Sequence, residues 1–123
     1  MSKKILLVED DPFLKDIYTT KLKEEGFVTL VADNGKLALD LLKKEDPDLM
    51  LLDIVLPEVT GWELLSEIKK NKKFKNLPVI ILSNLGQKQE VSKGIKLGAA
   101  RYLIKAHYTP SEVIKEVKKT LNG

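Results

Sequence analysis

Short apolar runs alternate along this chain with longer segments in which apolar residues recur every three or four positions. The runs are typical of strands that are buried on both faces of a parallel sheet, and the longer segments of amphipathic helices. The predicted strands are Ile5–Val8, Thr29–Ala32, Leu49–Asp53, Val79–Ser83 and Arg101–Ile104. The predicted helical stripes are Leu14/Ile17/Tyr18/Leu22, Leu37/Ala38/Leu41/Leu42, Leu64/Leu65/Ile68, a weaker Val91/Ile95, and Val113/Ile114/Val117/Leu121.

The order of these elements predicts an α/β fold. Five strand–helix repeats indicate a five-stranded parallel sheet with right-handed crossovers and helices on both faces. The commonest order for five such strands, 2-1-3-4-5, gives the flavodoxin-like three-layer sandwich. Because the chain has 123 residues and no linker, we predict one domain over residues 1–123.

Turn and cap residues support the predicted boundaries. Pro12 suits the first turn of a helix, and Asp11 before it suits the N-cap. Gly26 is expected to end that helix. Thr109, Pro110 and Glu112 have the spacing of a capped helix start, with the glutamate three residues after the threonine.

The charge of the chain is mildly basic, with a net charge of +3 and a pI near 9.0. The densest basic segment, residues 69–76, lacks a recognisable nucleic-acid motif, so we interpret the lysines as a solvated surface and expect no direct nucleic-acid contact. No apolar run is long enough to cross a membrane. There are no cysteines, and a cytoplasmic location is the expectation.

Polar side chains stand at the ends of four of the five predicted strands. Glu9 and Asp10 follow the first strand, Asp53 ends the third, Ser83 ends the fourth and Lys105 follows the fifth. In an open parallel sheet, ligands bind beyond the carboxyl ends of the strands, where the strand order reverses. We therefore expect these side chains to share one cleft.

The acids in that cleft indicate a cation. Two carboxylates about 4 Å apart repel by roughly 4 kcal/mol at an effective dielectric constant near 20. Oxygen ligands without histidine or cysteine favour Mg²⁺. An aspartate at a strand end can also serve as a nucleophile that forms an aspartyl phosphate.

Together these residues match a family. The chain resembles, from end to end, the receiver domain of two-component response regulators. The resemblance is carried by the acidic pair in VEDD, Asp53 in LLDIVLPEVTGWELL, Ser83 in VIILSN, and Tyr102 with Lys105 in YLIK.

The resemblance implies a phosphoacceptor. Asp53 would take a phosphoryl group from a phosphohistidine on a sensor histidine kinase or a histidine phosphotransfer protein. Asp10, Asp53 and the backbone carbonyl of Val55 would bind Mg²⁺, with Glu9 acting nearby or through water. Lys105 would bind the phosphoryl group.

The resemblance also implies a switch. Ser83 would move toward the phosphoryl group and Tyr102 would turn inward, which would change the face formed by the fourth helix, the fifth strand and the fifth helix. That face would contact a downstream protein and could pair two copies of the chain. Gly61 would permit a close return of the loop to the third helix. Such a chain catalyses only its own phosphorylation and dephosphorylation and is not an enzyme acting on other substrates.

Two positions depart from the family pattern. Ala106 stands where proline usually follows the lysine, and Ser83 replaces the commoner threonine but keeps the hydroxyl. The resemblance implies a cis bond after Lys105, because proline usually stands there, but a cis bond costs roughly 2.5–4 kcal/mol before a residue other than proline. We therefore predict a trans Lys105–Ala106 bond, with the Lys105 amine still reaching Asp53.

Other interpretations stay open at this point. An aspartate-nucleophile phosphatase typically has a second aspartate two residues after the nucleophile, where this chain has Val55. A flavin or nucleotide binder needs phosphate-binding amides, but the first loop reads EDDPF. A degenerate receiver would lack part of the residue set. His107 and Trp62 are predicted to be structural.

Overall fold

The structure is a computed structural model and describes residues 2–122. The strands are β1 Lys4–Val8, β2 Val28–Ala32, β3 Leu49–Leu52, β4 Val79–Ser83 and β5 Arg101–Ile104. The helices are α1 Pro12–Glu24, α2 Gly35–Glu45, α3 Gly61–Lys70, α4 Lys88–Lys96 and α5 Pro110–Asn122, with a 3-10 turn at Lys105–His107. Within residues 2–122 no helix combines the length and the apolar character that a membrane crossing requires.

The sheet has the predicted order, β2-β1-β3-β4-β5, and all four pairings are parallel. Val8 pairs with Leu52 in the central β1–β3 contact, and Ser83 pairs with Ile104 in the outer β4–β5 contact. The register therefore brings the carboxyl ends of these strands to one edge. The flavodoxin-like α/β prediction is confirmed.

Side chains alternate between the two faces of the sheet, as strand geometry requires. Leu6 and Val8 of β1 pack in the core under α2 and α3, whereas Ile5 and Leu7 pack in the core under α1 and α5. All four side chains are buried. Because burying a side chain of this size is worth about 1.5–3 kcal/mol, both layers of helices are held chiefly by apolar burial.

Two residues of the predicted stripes do not reach the core. Leu37 is 40% exposed and Ile95 is 48% exposed. In α4 the close contact with the sheet is made by Gly94, where a Cβ atom would lie 2.7 Å from Ile81 Cδ1 and 2.8 Å from Tyr102 Cδ2. This helix therefore lies against the sheet through a residue without a side chain.

The predicted helix caps are present. Asp11 Oδ1 accepts hydrogen bonds from the amides of Phe13 (2.9 Å) and Leu14 (3.1 Å), and Pro12 begins α1. Thr109 Oγ1 accepts from the amide of Glu112 at 3.1 Å, and the Glu112 carboxylate accepts from the Thr109 amide at 2.9 Å. Satisfying these amides stabilises the ends of α1 and α5.

The basic segment, residues 69–76, covers the end of α3 and the turn after it, and it makes structural contacts. Phe74 is only 4% exposed. Lys69 Nζ donates to the backbone carbonyls of Leu77 (2.6 Å) and Lys75 (3.1 Å), and burial lowers the pKa of this amine. These contacts fix the turn that leads into β4, at the end of the sheet opposite the carboxyl edge.

Candidate functional site

The residues predicted from the strand ends lie together at the carboxyl edge of the sheet. An open cleft of about 330 Å³ is lined by Glu9, Asp10, Asp53, Val55, Ser83 and Lys105. Ser83 is the last residue of β4, and the other residues lie directly after β1, β3 and β5. Parallel strands that end in register therefore bring together groups that are distant in the sequence.

The ammonium group of Lys105 lies between two buried carboxylates. Its Nζ is 2.7 Å from Glu9 Oε1 and 3.0 Å from Asp53 Oδ2. The side chains of Lys105, Glu9 and Asp53 are only 10%, 2% and 8% exposed. Removing ions from water is costly, so each member of this triad depends on the others for compensation.

Asp53 is held by backbone as well as by Lys105. Its Oδ1 accepts from the Ile54 amide at 2.7 Å, while Oδ2 accepts from Lys105. The Asp53 amide donates to the Val8 carbonyl at 3.0 Å, which continues the β1–β3 pairing by one residue. The carboxylate is therefore fixed at the edge of a buried strand.

Burial and charge act against each other in the triad. Burial raises the pKa of Glu9, although the hydrogen bond from Lys105 opposes this effect. Burial lowers the pKa of Lys105, but the hydrogen bond to Glu9 and the charge of Asp53 outweigh it and leave the pKa above its usual value. The lysine therefore stays protonated over the whole neutral range.

The acidic cluster fits a divalent cation. Carboxylate oxygens of Glu9, Asp10 and Asp53 lie within 4.8 Å of one another. Asp10 is exposed and faces the open side of the cleft. One ammonium stands against three carboxylates, so two negative charges remain, and oxygen donors of this kind suit Mg²⁺. A contribution from the Val55 carbonyl remains a prediction.

Ser83 and Tyr102 meet at the backbone of Leu85. Ser83 is fully buried, and its Oγ accepts from the Leu85 amide at 3.2 Å. The Tyr102 hydroxyl donates to the Leu85 carbonyl, and burial raises the pKa of this phenol. Sequence reasoning missed Leu85, because its contribution is made by main-chain atoms that any residue has.

Trp62 packs against the same tyrosine. The two ring centroids are 6.5 Å apart, and Lys93 Nζ lies 4.6 Å from the Trp62 ring centroid. The predicted packing role of Trp62 is confirmed, and α3, α4 and β5 meet at this point. His107 is exposed in the 3-10 turn.

The Lys105–Ala106 bond has the predicted trans form, since residues 2–122 contain no cis peptide bond. The Lys105 amine nevertheless reaches Asp53, as expected. The Ala106 amide donates to Asn84 Oδ1 at 3.2 Å. Asn84 is a second residue that sequence reasoning missed.

Gly61 allows the close return of the loop after β3. A Cβ atom at this position would lie 2.4 Å from the Asp53 carbonyl oxygen and 2.6 Å from Ile54 Cα. The Gly61 amide donates to the Ile54 carbonyl at 2.8 Å. A larger residue would therefore displace the backbone that carries Asp53.

Replacing Lys105 by methionine removes the charge that the two buried carboxylates share. We expect Lys105→Met to lower the free energy of unfolding by about 3–5 kcal/mol at pH 7.5. The raised pKa of Lys105 means that its charge stabilises the fold at every pH below the ordinary lysine value of 10.5. The loss should shrink as the pH falls toward 4.5, the ordinary pKa of a glutamate. The pKa of Glu9 is raised above that value, so Glu9 becomes protonated and no longer needs the lysine charge.

Chemical denaturation at pH 7.5 and pH 4.5 measures this effect. Lys118→Met, which removes an exposed ion pair with Glu25, is the matched control and should change the stability far less. An equal loss at both pH values would contradict the shared-charge account.

Asp10 offers a second test, because it adds negative charge to the cluster from an exposed position. Without metal, Asp10→Asn should raise the free energy of unfolding by about 1 kcal/mol, the repulsion of two charges about 4 Å apart in water. The same change should weaken Mg²⁺ binding in calorimetry. Asp16→Asn, on the exposed side of α1, should do neither. Unchanged Mg²⁺ affinity in Asp10→Asn would remove this residue from the metal site.

Comparison with known proteins agrees with this geometry. The family described as response regulator receiver domain matches residues 5–118. Regulatory protein VanRc of Enterococcus gallinarum is 37% identical over 121 residues, which cover 98% of this chain and 51% of the relative. Chemotaxis protein CheY of Halobacterium salinarum is 36% identical over 111 residues, covering 90% of this chain and 91% of that protein.

The chain spans about half the length of the first curated relatives it matches. Among solved structures, the receiver domain of Francisella response regulator 1452 has a TM-score of 0.91 and 33% identity, with 98% of each chain covered. The shared fold, the matched sequence and the acidic edge lead to one conclusion. This chain belongs to the receiver domain family of two-component response regulators.

Proposed function

We propose that this chain takes a phosphoryl group onto Asp53 from a phosphohistidine of a sensor histidine kinase or a histidine phosphotransfer protein. The observation that carries the proposal is the fixed position of the Asp53 carboxylate, 3.0 Å from the Lys105 ammonium and beside two further carboxylates. In phosphoryl transfer a protein chiefly positions groups and offsets charge. The edge of this sheet is suited to both tasks.

The transfer replaces one bond to phosphorus by another. A carboxylate oxygen of Asp53 attacks the phosphorus atom, and the phosphorus–nitrogen bond to the donor imidazole breaks. The electron pair of that bond stays on the imidazole nitrogen, which takes up one proton from water, so the donor histidine leaves as neutral imidazole. The product is an acyl phosphate on Asp53, which water can later hydrolyse.

Several side chains would stabilise the phosphoryl oxygens. Lys105 offers an ammonium group that is already within 3.0 Å of Asp53. Ser83 offers a hydroxyl at the end of the adjacent strand β4, and giving up its contact with the Leu85 amide would free it to move. These groups orient the phosphoryl group and offset the charge that develops on its oxygens.

Mg²⁺ is the cofactor that this donor set fits best. Asp10 and Asp53 would hold it together with the Val55 carbonyl, and Glu9 would act nearby or through water. When bound, the ion neutralises negative charge on the phosphoryl oxygens. Asp10 is the member of the cluster that is free of the Lys105 triad, and it is exposed where a solvated ion would arrive.

The same site would control the face formed by α4, β5 and α5. Ser83 and Tyr102 both contact Leu85, so a movement of Ser83 toward the phosphoryl group would disturb the hydrogen bond that holds the Tyr102 hydroxyl. Tyr102 also lies against Gly94 of α4. A downstream protein, or a second copy of the chain, would recognise the altered face.

An enzyme acting on separate phosphorylated substrates is less well supported. Val55, two residues after Asp53, has no group that can exchange a proton, and its side chain is 61% exposed at the cleft. The chain therefore lacks, at that position, a general acid–base for turnover.

Incubation with a small phosphodonor and Mg²⁺ should add one acid-stable, base-labile phosphoryl group, because an acyl phosphate is the expected product. Intact-mass measurement should show this addition in the wild-type chain and none in Asp53→Asn. Asp48→Asn, at the opposite end of β3, is the matched control and should be phosphorylated normally. Equal labelling of Asp53→Asn would contradict the assignment.

A phosphoryl mimic should reveal the switching face. After addition of Mg²⁺ and beryllofluoride, changes in backbone amide chemical shift should extend from Ser83 through α4 and β5 to Lys105, because Leu85, Tyr102 and Gly94 connect these elements. Asp53→Asn should lose the whole response. Shifts confined to the acidic cleft would mean that the site binds phosphate without changing this face.

A further inference from the structure

One side-chain hydrogen bond joins the two loops that flank the cleft on the β4–β5 side. Strands β4 and β5 are paired as far as Ser83 and Ile104. Beyond this last pair, Asn84 Oδ1 accepts a hydrogen bond from the Ala106 amide at 3.2 Å. The asparagine side chain therefore continues the pairing after the backbone ladder has ended.

This bond lies between two groups of the proposed site. Asn84 follows Ser83 directly, and Ala106 follows Lys105 directly, so the contact restrains the backbone just beyond the last strand pair, on the far side of Lys105. Both Asn84 and Ala106 are exposed. Packing in the core therefore does not hold them together, and the hydrogen bond is a direct link between the two segments.

The alanine makes this link available. A proline at position 106 would have no amide hydrogen to donate, and it would disfavour the helical conformation of the residue before it. In this chain the 3-10 turn begins at Lys105 itself. The amide of Ala106 thus supplies a restraint on a loop that has no ring to stiffen it.

We infer that Asn84 is a positioning residue for Lys105, which acts by accepting the Ala106 amide hydrogen and thereby fixes the backbone from which the ammonium reaches Asp53. The lysine side chain has a flexible four-carbon stem, so its aim depends on where the backbone begins. The kinetic consequence of this role rests on the proposed phosphoryl transfer to Asp53, whereas the contact between Asn84 and Ala106 is independent of it.

Amide hydrogen exchange tests the contact without any phosphorylation. In Asn84→Ala, exchange of the Ala106 amide should become about 2- to 12-fold faster, the factor that loss of one ordinary hydrogen bond gives. Asn84→Asp keeps an acceptor oxygen at the same reach and should retain the protection. Asn76→Ala, which changes an exposed asparagine before β4, is the matched control and should have no effect. Unchanged exchange in Asn84→Ala would overturn the inference.

A double-mutant cycle tests whether Asn84 acts through that amide. The rate of Asp53 phosphorylation by a small phosphodonor should fall by about the same 2- to 12-fold in Asn84→Ala. In an Ala106→Pro background, which has no amide hydrogen, adding Asn84→Ala should cause no further change. An equal fall in both backgrounds would show that Asn84 contacts the phosphoryl group directly, and would overturn the positioning role.

The exchange and phosphorylation experiments together distinguish this inference from the proposed function. Faster exchange at Ala106 in a chain that no phosphodonor labels would contradict the phosphoryl transfer and support the contact. Normal phosphorylation of Asn84→Ala, with faster exchange at Ala106, would overturn the positioning role and leave the phosphoryl transfer intact.

Discussion

The carboxyl edge of the sheet depends on one buried ammonium group that is shared by two buried carboxylates. Lys105 contacts Glu9 at 2.7 Å and Asp53 at 3.0 Å, and all three side chains are almost fully buried. The carboxylates repel each other and have lost most of their hydration, so the lysine charge is what makes their burial tolerable. Asp10 adds a third carboxylate from the exposed side. The site therefore keeps an excess of negative charge, which makes it receptive to a divalent cation, and the lysine lies beside the carboxylate that we propose as the phosphoacceptor.

The parallel sheet turns this local charge balance into a site. The β1–β3 pairing sets Glu9 and Asp53 next to each other, and the Asp53 amide still donates to Val8 after the strand has ended. Gly61 lets the following loop turn back so closely that a Cβ atom at this position would lie 2.4 Å from the Asp53 carbonyl oxygen. The position of Asp53 is thus fixed by backbone pairing with β1 on one side and by the close approach of Gly61, which has no side chain, on the other.

The strand order was predicted from the commonest arrangement of five such strands. The pattern of the sequence was sufficient to predict the strands themselves, the helix caps and the residues of the acidic cleft. Each of these leaves a mark in residue type: apolar runs, an aspartate before Pro12, and acids directly after strands. The exposure of Ile95 was not predictable, because α4 approaches the sheet through Gly94 and the stripe lies off the contact. The roles of Leu85 and Ala106 were hidden for another reason: both act through main-chain groups that carry no signature of residue type.

The central claim is that the carboxylate which Lys105 contacts at the end of β3 is the one that becomes phosphorylated. Borohydride reduces an acyl phosphate to an alcohol, so treatment of the phosphorylated chain converts the modified aspartate to homoserine. Peptide mapping after this treatment should find homoserine at position 53 and aspartate at position 10. Homoserine at position 10, or no reduced residue in a chain that carries phosphate, would contradict the account.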